Sequence, residues 1–231
     1  MQGSDSEAIR RKLVSRIPRW YVPWVHLTGP SLVGLALIAV ALSRVHHPRA
    51  WELLSLIPVL VLSNASEWAL HRGVLHHRVR GLEFAFVRHT PQHHGAFDGG
   101  SLAIRDPKEL KLVLLPAFGV LGMFVGAIPP GLALGALVSS NLGALWIAAT
   151  VGYVLLYEWL HLSYHLPEDS PVGRLTIVRA LRHHHAIHHM PEHMQRWNFN
   201  VTIPLWDWVR GTLYRPQRHP PERRAPQPAR T

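Results

Sequence analysis

The run LVLLPAFGVLGMFVGAIPPGLALGALVSSNLGALWIAATVGYVLLY, residues 112–157, holds 46 residues and not one charged side chain. A helix crosses the hydrocarbon core of a bilayer in about 20 apolar residues, so the run is too long for one crossing and suits two. The break between them is expected at a cluster of turn-forming residues, either Pro129-Pro130-Gly131 or Ser139-Ser140-Asn141, with the proline pair favoured. A water-soluble fold would have to hide the whole run inside a small domain. A helical hairpin in lipid, with every backbone group bonded within its own helix, is the simpler solution.

Working outward, residues 22–43 and 51–70 read as two further spans, joined by the polar turn Ser43-Arg44-Val45-His46-His47-Pro48-Arg49. The expected fold is therefore all-α and integral to the membrane. About four transmembrane helices (22–43, 51–70, 110–128, 132–160) form two hairpins, with a helical cap at one end. Residues 1–21 form a basic lead carrying Arg10, Arg11, Lys12, Arg16 and Arg19, without the look of a cleaved leader peptide. Residues 22–215 are the membrane domain, and the basic, Pro-rich residues 216–231 are expected to be disordered. Arg and Lys crowd the N-terminus, residues 71–111 and the C-terminal third, which four spans place on one side. The positive-inside rule makes that side cytosolic.

The chain of 231 residues has no cysteine, which excludes disulfides, thiolate zinc sites and Cys-ligated iron–sulfur clusters. Its net charge of +10 is carried almost wholly by Arg, with Lys only at Lys12, Lys108 and Lys111. With no nucleic-acid-binding motif present, the basic balance and the long uncharged runs point to a membrane surface and not to DNA or RNA.

The polar segments carry the chemistry. Arg182-His183-His184-His185-Ala186-Ile187-His188-His189 packs five histidines into seven residues. Four clusters emerge: His71 and His76; His89, His93 and His94; His161 and His165; His185, His188 and His189. Spacings of three and four share a helical face. The spacing of five between His71 and His76 puts the pair about 140° apart on a regular helix, so a helix end or bend is expected near His76. Ten imidazoles exceed what one ion takes and suit two, and nitrogen donors without competing thiolates favour Fe, Zn, Cu or Ni. His26, His46, His47, His77, His193 and His219 read as surface or packing residues. Glu67, four residues before His71, and Glu158, three before His161, are expected to take the outer ring N–H groups of the ligands. Asp98, Asn198 and His184 lie beside the clusters and are candidates for the same supporting role; His184 is also a candidate ligand. The two helix ends echo each other, Glu67-Trp68-Ala69-Leu70-His71 against Glu158-Trp159-Leu160-His161.

Over roughly residues 55–215 the pattern resembles the fatty acid hydroxylase superfamily, which includes fatty acid 2-hydroxylases, sterol desaturases and carotenoid hydroxylases. The likeness rests on Glu67-Trp-x2-His71-Arg72-x3-His76, His89-x3-His93-His94-Gly95-Ala96-Phe97-Asp98-Gly99, Tyr157-Glu158-x2-His161-x3-His165, and His184-His185-x2-His188-His189. It closes with Asn198-Phe199-Asn200-Val201-Thr202-x2-Leu205-Trp206-Asp207-x3-Gly211-Thr212. The resemblance implies a membrane di-iron oxygenase that hydroxylates a C–H bond of a lipid with O₂. The ten histidines would hold two Fe ions, with zinc as a substitute in purified protein, and no catalytic residue is implied beyond the ligands. A fatty acyl or sphingolipid substrate is the first choice, from the segment His94 to Gly99; a sterol or carotenoid hydroxylase or desaturase is the alternative. No cytochrome b5 domain is fused to the chain, so electrons would come from a separate ferredoxin or cytochrome b5 type donor with an NAD(P)H reductase. From another class, a His-rich zinc transporter or sensor would need an ionisable path through the bilayer. Away from their ends the spans offer little beyond His26 and Glu52.

Overall fold

The computed structural model describes residues 2–98 and 102–216. The tail expected to be disordered lies outside the described residues from position 217 onward. Among the described residues every regular element is helical: α1 (Gln2–Ser15), α2 (Pro23–Leu42), α3 (Ala50–Leu54), α4 (Leu56–Leu70), α5 (Glu83–Val87), α6 (Leu110–Val113), α7 (Ala117–Leu137), α8 (Ser140–Tyr164), α9 (Thr176–His188) and α10 (Leu205–Arg210). Two π-helical turns, His71–Leu75 and Arg88–His94, continue α4 and α5.

Four segments are long and apolar enough to cross a membrane: Pro23–Leu42, Ala50–Leu75, Ala117–Leu137 and Ser140–Tyr164. The chain is a multi-pass membrane protein whose outer faces carry exposed Leu32, Val40, Leu62, Val125 and Leu132, suited to lipid contact. Helix α8 is the axis of the bundle. Its most apolar window is 39% buried, against 11% for α2.

The turn between the third and fourth spans corrects the sequence expectation. Pro129 and Pro130 sit inside α7, and the chain turns at Val138 and Ser139, where Ser139 is extended (φ −162°, ψ 135°). Proline's fixed φ is itself helical, and the carbonyls it leaves free can be satisfied from a neighbouring helix. The carbonyls freed here are those of Val125 and Gly126; one residue further on, Trp146 of α8 ties the two helices together by donating its indole N–H to the Ala127 carbonyl at 3.1 Å. Ser139 is further held by its hydroxyl donating to Glu52, and Asn141 donates to Glu52 at 3.1 Å. The third span also starts later than expected, at Ala117. Leu110–Val113 is a separate buried turn that ends in extended Leu114.

Small residues let α7 and α8 touch. A Cβ on Gly143 would come within 2.4 Å of the Gly131 carbonyl oxygen. Gly143→Leu should therefore force the hairpin apart and lower stability by about 1–3 kcal/mol or more. Gly122→Leu, where an added Cβ meets nothing within 4 Å, should change it little; thermal unfolding of both variants in detergent checks this.

Candidate metal centre

The second and fourth spans end beside each other, and the two π-turns and α9 close over them. Ten histidine rings meet there in two buried groups. His71, His76, His89, His94 and His188 form one; His93, His161, His165, His185 and His189 form the other. Within each group the potential ligand nitrogens all lie within 4.8 Å of one another. The groups adjoin, with the His94 and His189 rings stacked at 4.2 Å.

The structure brings together all ten residues singled out as ligands, but it partitions them differently from the helical-face expectation. His185 and His189 share a group, whereas His188 joins the other. His89 parts from His93 despite its spacing of four, and pairs with His94. Both pairs spaced by five, His71/His76 and His89/His94, lie on the π-helical turns. A π-turn bonds residue i to i+5, so residues five apart come round to the same side, which an α-helix would deny them. The bend expected near His76 is this π-turn. Adjacent histidines, His93-His94 and His188-His189, necessarily point to different groups.

Backbone carbonyls set the ring orientations. The Nδ1–H of His93 donates to Leu112 O at 2.9 Å, that of His165 to Leu102 O at 2.8 Å and that of His188 to Trp197 O at 2.8 Å. His71 donates likewise to Phe199 O and His189 to Phe97 O. A neutral ring that donates through Nδ1 presents a bare lone pair at Nε2. Those Nε2 atoms face other Nε2 atoms: His76 to His188 at 3.0 Å, His185 to His189 at 3.0 Å, His161 to His93 at 3.2 Å. The buried Nε2 of His165 has no hydrogen-bond partner. Converging lone pairs repel unless a cation sits among them, so the donor set fits a metal ion in each group. Burial first, then the neighbouring imidazoles, hold His89, His94, His185 and His188 well below the usual histidine range and His76 down to about 2. Burial thus favours the neutral, ligating form of these five rings.

The supporting residues are one step further out than expected. Glu67 makes no hydrogen bond to an imidazole. It accepts from the backbone N–H groups of Val201 and Thr202 and from the Thr202 hydroxyl at 2.6 Å, and so grips the loop whose Phe199 carbonyl orients His71. Glu158 does the same across the site: it accepts from the Leu115 N–H at 3.3 Å, three residues past the Leu112 carbonyl that orients His93. The echo between the two helix ends extends to these bonds: each glutamate accepts from backbone N–H groups near a carbonyl that orients a histidine. Asn198, in left-handed backbone (φ 59°) that asparagine tolerates, donates to His184 O at 2.9 Å and accepts from Tyr214 N–H at 2.8 Å. The His184 ring lies outside both groups, 3.4 Å from Asp207. Asp98 belongs to neither group.

Asp207, part of the closing motif but given no role from the sequence, holds the loop that carries Phe199. Fully buried, it accepts from Phe199 N–H at 2.9 Å, Asn200 N–H at 2.8 Å and the Thr212 hydroxyl at 2.6 Å. Its signal was present in the spacing Asn198 to Asp207 to Thr212, which is that of a side chain closing its own loop. The carbonyls of Phe97, Leu102 and Leu112 had no signal, since any residue type supplies one.

From the metal groups a cavity of about 650 Å³ runs back into the bundle. His71, His89, His93 and His161 form its polar end, and α8 lines it from His161 through Tyr157 and Thr150 to Trp146, about 22 Å at the helical rise. Leu62, Leu70, Met123 and Val154 supply the apolar wall.

The family model described as Fatty acid hydroxylase matches residues 56–212 of the chain. No curated protein and no solved structure matches it.

Proposed function

The chain belongs to the fatty acid hydroxylase family, and from that premise we propose that it is a membrane-bound di-iron oxygenase that hydroxylates a C–H bond of a lipid chain. The ten imidazoles are proposed as the metal ligands. The observation that carries the reading is one continuous space: an apolar cavity that ends on both nests of buried histidines. Two irons held there would supply the activation of O₂ needed to break an unreactive C–H bond. The overall balance is one oxygen atom inserted into the lipid and one released as water, with two electrons and two protons consumed.

The chain's own residues bind and orient. The apolar wall holds a hydrocarbon chain away from water, and the four histidines at its end sit where the reacting carbon would stop. The apolar wall along α8 from Trp146 to His161 suits a long hydrocarbon tail; a fatty acyl or sphingolipid substrate is proposed first, with a sterol or carotenoid as the alternative. Electrons are proposed to come from a separate ferredoxin or cytochrome b5 type protein with its NAD(P)H reductase, reaching the site from the cytosol. Charge supports that side, since the N-terminal helix with Arg10, Arg11 and Lys12 lies at the histidine end.

The test is mass spectrometry of lipids from cells with and without the protein, paired with iron analysis after anaerobic loading. We expect two irons per chain and a lipid gaining one oxygen. A product lacking two hydrogens would turn the assignment to desaturation; a single iron, or an unchanged lipidome with both irons bound, would overturn it.

A further inference from the structure

We infer that the N-terminal helix, which lies outside the matched family region, sets the ring orientations of one metal group and not of the other, with Arg10 as the positioning residue. Arg10 is only 2% exposed. Its Nε–H donates to Glu109 Oε1 at 2.8 Å, and its Nη2 donates to the other oxygen of Glu109 and to the Ala103 carbonyl at 2.8 Å. The guanidinium lies over the Phe97 ring, 4.8 Å from its centre. Glu109 also accepts from the Arg105 N–H at 2.7 Å. Leu13 and Val14 of the same helix pack on the buried cluster of Phe97, Leu102, Leu110 and Leu112.

These contacts converge on three short backbone segments. Phe97 accepts from His189, Leu102 (next to Ala103) accepts from His165, and Leu112 (three residues past Glu109) accepts from His93. All three histidines belong to the same group. In the other group the backbone acceptors for His71 and His188 are Phe199 and Trp197, on a loop held by Glu67 and Asp207. The backbone acceptors of the two metal groups thus lie on separate segments, one set tied to α1 and the other to the C-terminal loop, although α1 also packs on the π-turn that carries His89 and His94. An arginine fork can hold three segments at once because its donors lie in one rigid plane; removing it frees the carbonyls that fix three rings.

The inference rests on the reading of both groups as metal sites. Its test is Co²⁺ titration of metal-free protein in detergent, followed by visible absorption. One background carries His71→Ala with His188→Ala, leaving the group supported by α1; the other carries His165→Ala with His185→Ala, leaving the group supported by the C-terminal loop. Adding Arg10→Leu with Glu109→Gln, a pair that leaves no lone buried charge, should weaken Co²⁺ binding about 10–100-fold in the first background and shift its absorption bands. The second background should bind as before. Equal loss in both, or loss in neither, overturns the inference. Should the protein with all ten histidines bind fewer than two Co²⁺ ions, the functional reading falls and the inference with it.

Discussion

His188→Ala is expected to lose more than about 100-fold in turnover and one of two metal ions, while the protein still inserts in the membrane and keeps the other ion. Changing a group that merely supports a ligand costs about 10–100-fold in affinity or activity, and His188 stands closer than that. Its ring is fully buried, faces His76 Nε2 at 3.0 Å and is aimed by the Trp197 carbonyl at 2.8 Å. Removing it leaves four rings in its group and an empty volume beside His76 and His94. The other group keeps all five of its rings. Metal analysis and lipid product formation on the same preparation check both halves. Full activity in the variant would remove His188 from the site.

Asp207→Ala should destabilise the protein by about 3 kcal/mol or more and release the same ion, although Asp207 belongs to neither metal group. Its carboxylate is the acceptor for two backbone N–H groups and one hydroxyl in a site with no exposure to water. Each buried donor left unpaired costs about 1–3 kcal/mol. The loop that the two backbone donors belong to carries the Phe199 and Trp197 carbonyls, so its loosening reaches His71 and His188 through one hydrogen bond each. Thermal unfolding with and without metal measures the first effect, and metal stoichiometry the second. A variant that unfolds normally and keeps two ions would show that the loop holds its shape without Asp207.

The placement of Asp207 shows what the linear chain conceals. The aspartate was visible in the closing motif, yet two of its partners are backbone amides, and amides carry no residue identity. Glu67 was legible as a carboxylate one helical turn from His71, and the natural expectation was contact with that ring. It bonds instead to Val201 and Thr202, more than 130 positions away in the chain. The misplaced turn has another cause. Pro129-Pro130 reads as a break because proline cannot donate to the helical ladder, yet its fixed φ is helical, and inside a packed bundle the pair stays within α7.

Hydropathy alone determined the four crossings, because a bilayer imposes its own length on any helix that spans it. Histidine density alone pointed to the ten imidazoles that lie together in the structure, since no packing demand produces such clustering. Only the tertiary structure decided which five belong to which group. The π-turns rotate His76 and His94 by one residue relative to an α-helix, and carbonyls from distant segments then choose which nitrogen of each ring faces inward. Both are set by contacts between parts of the chain that are neighbours in space and strangers in order.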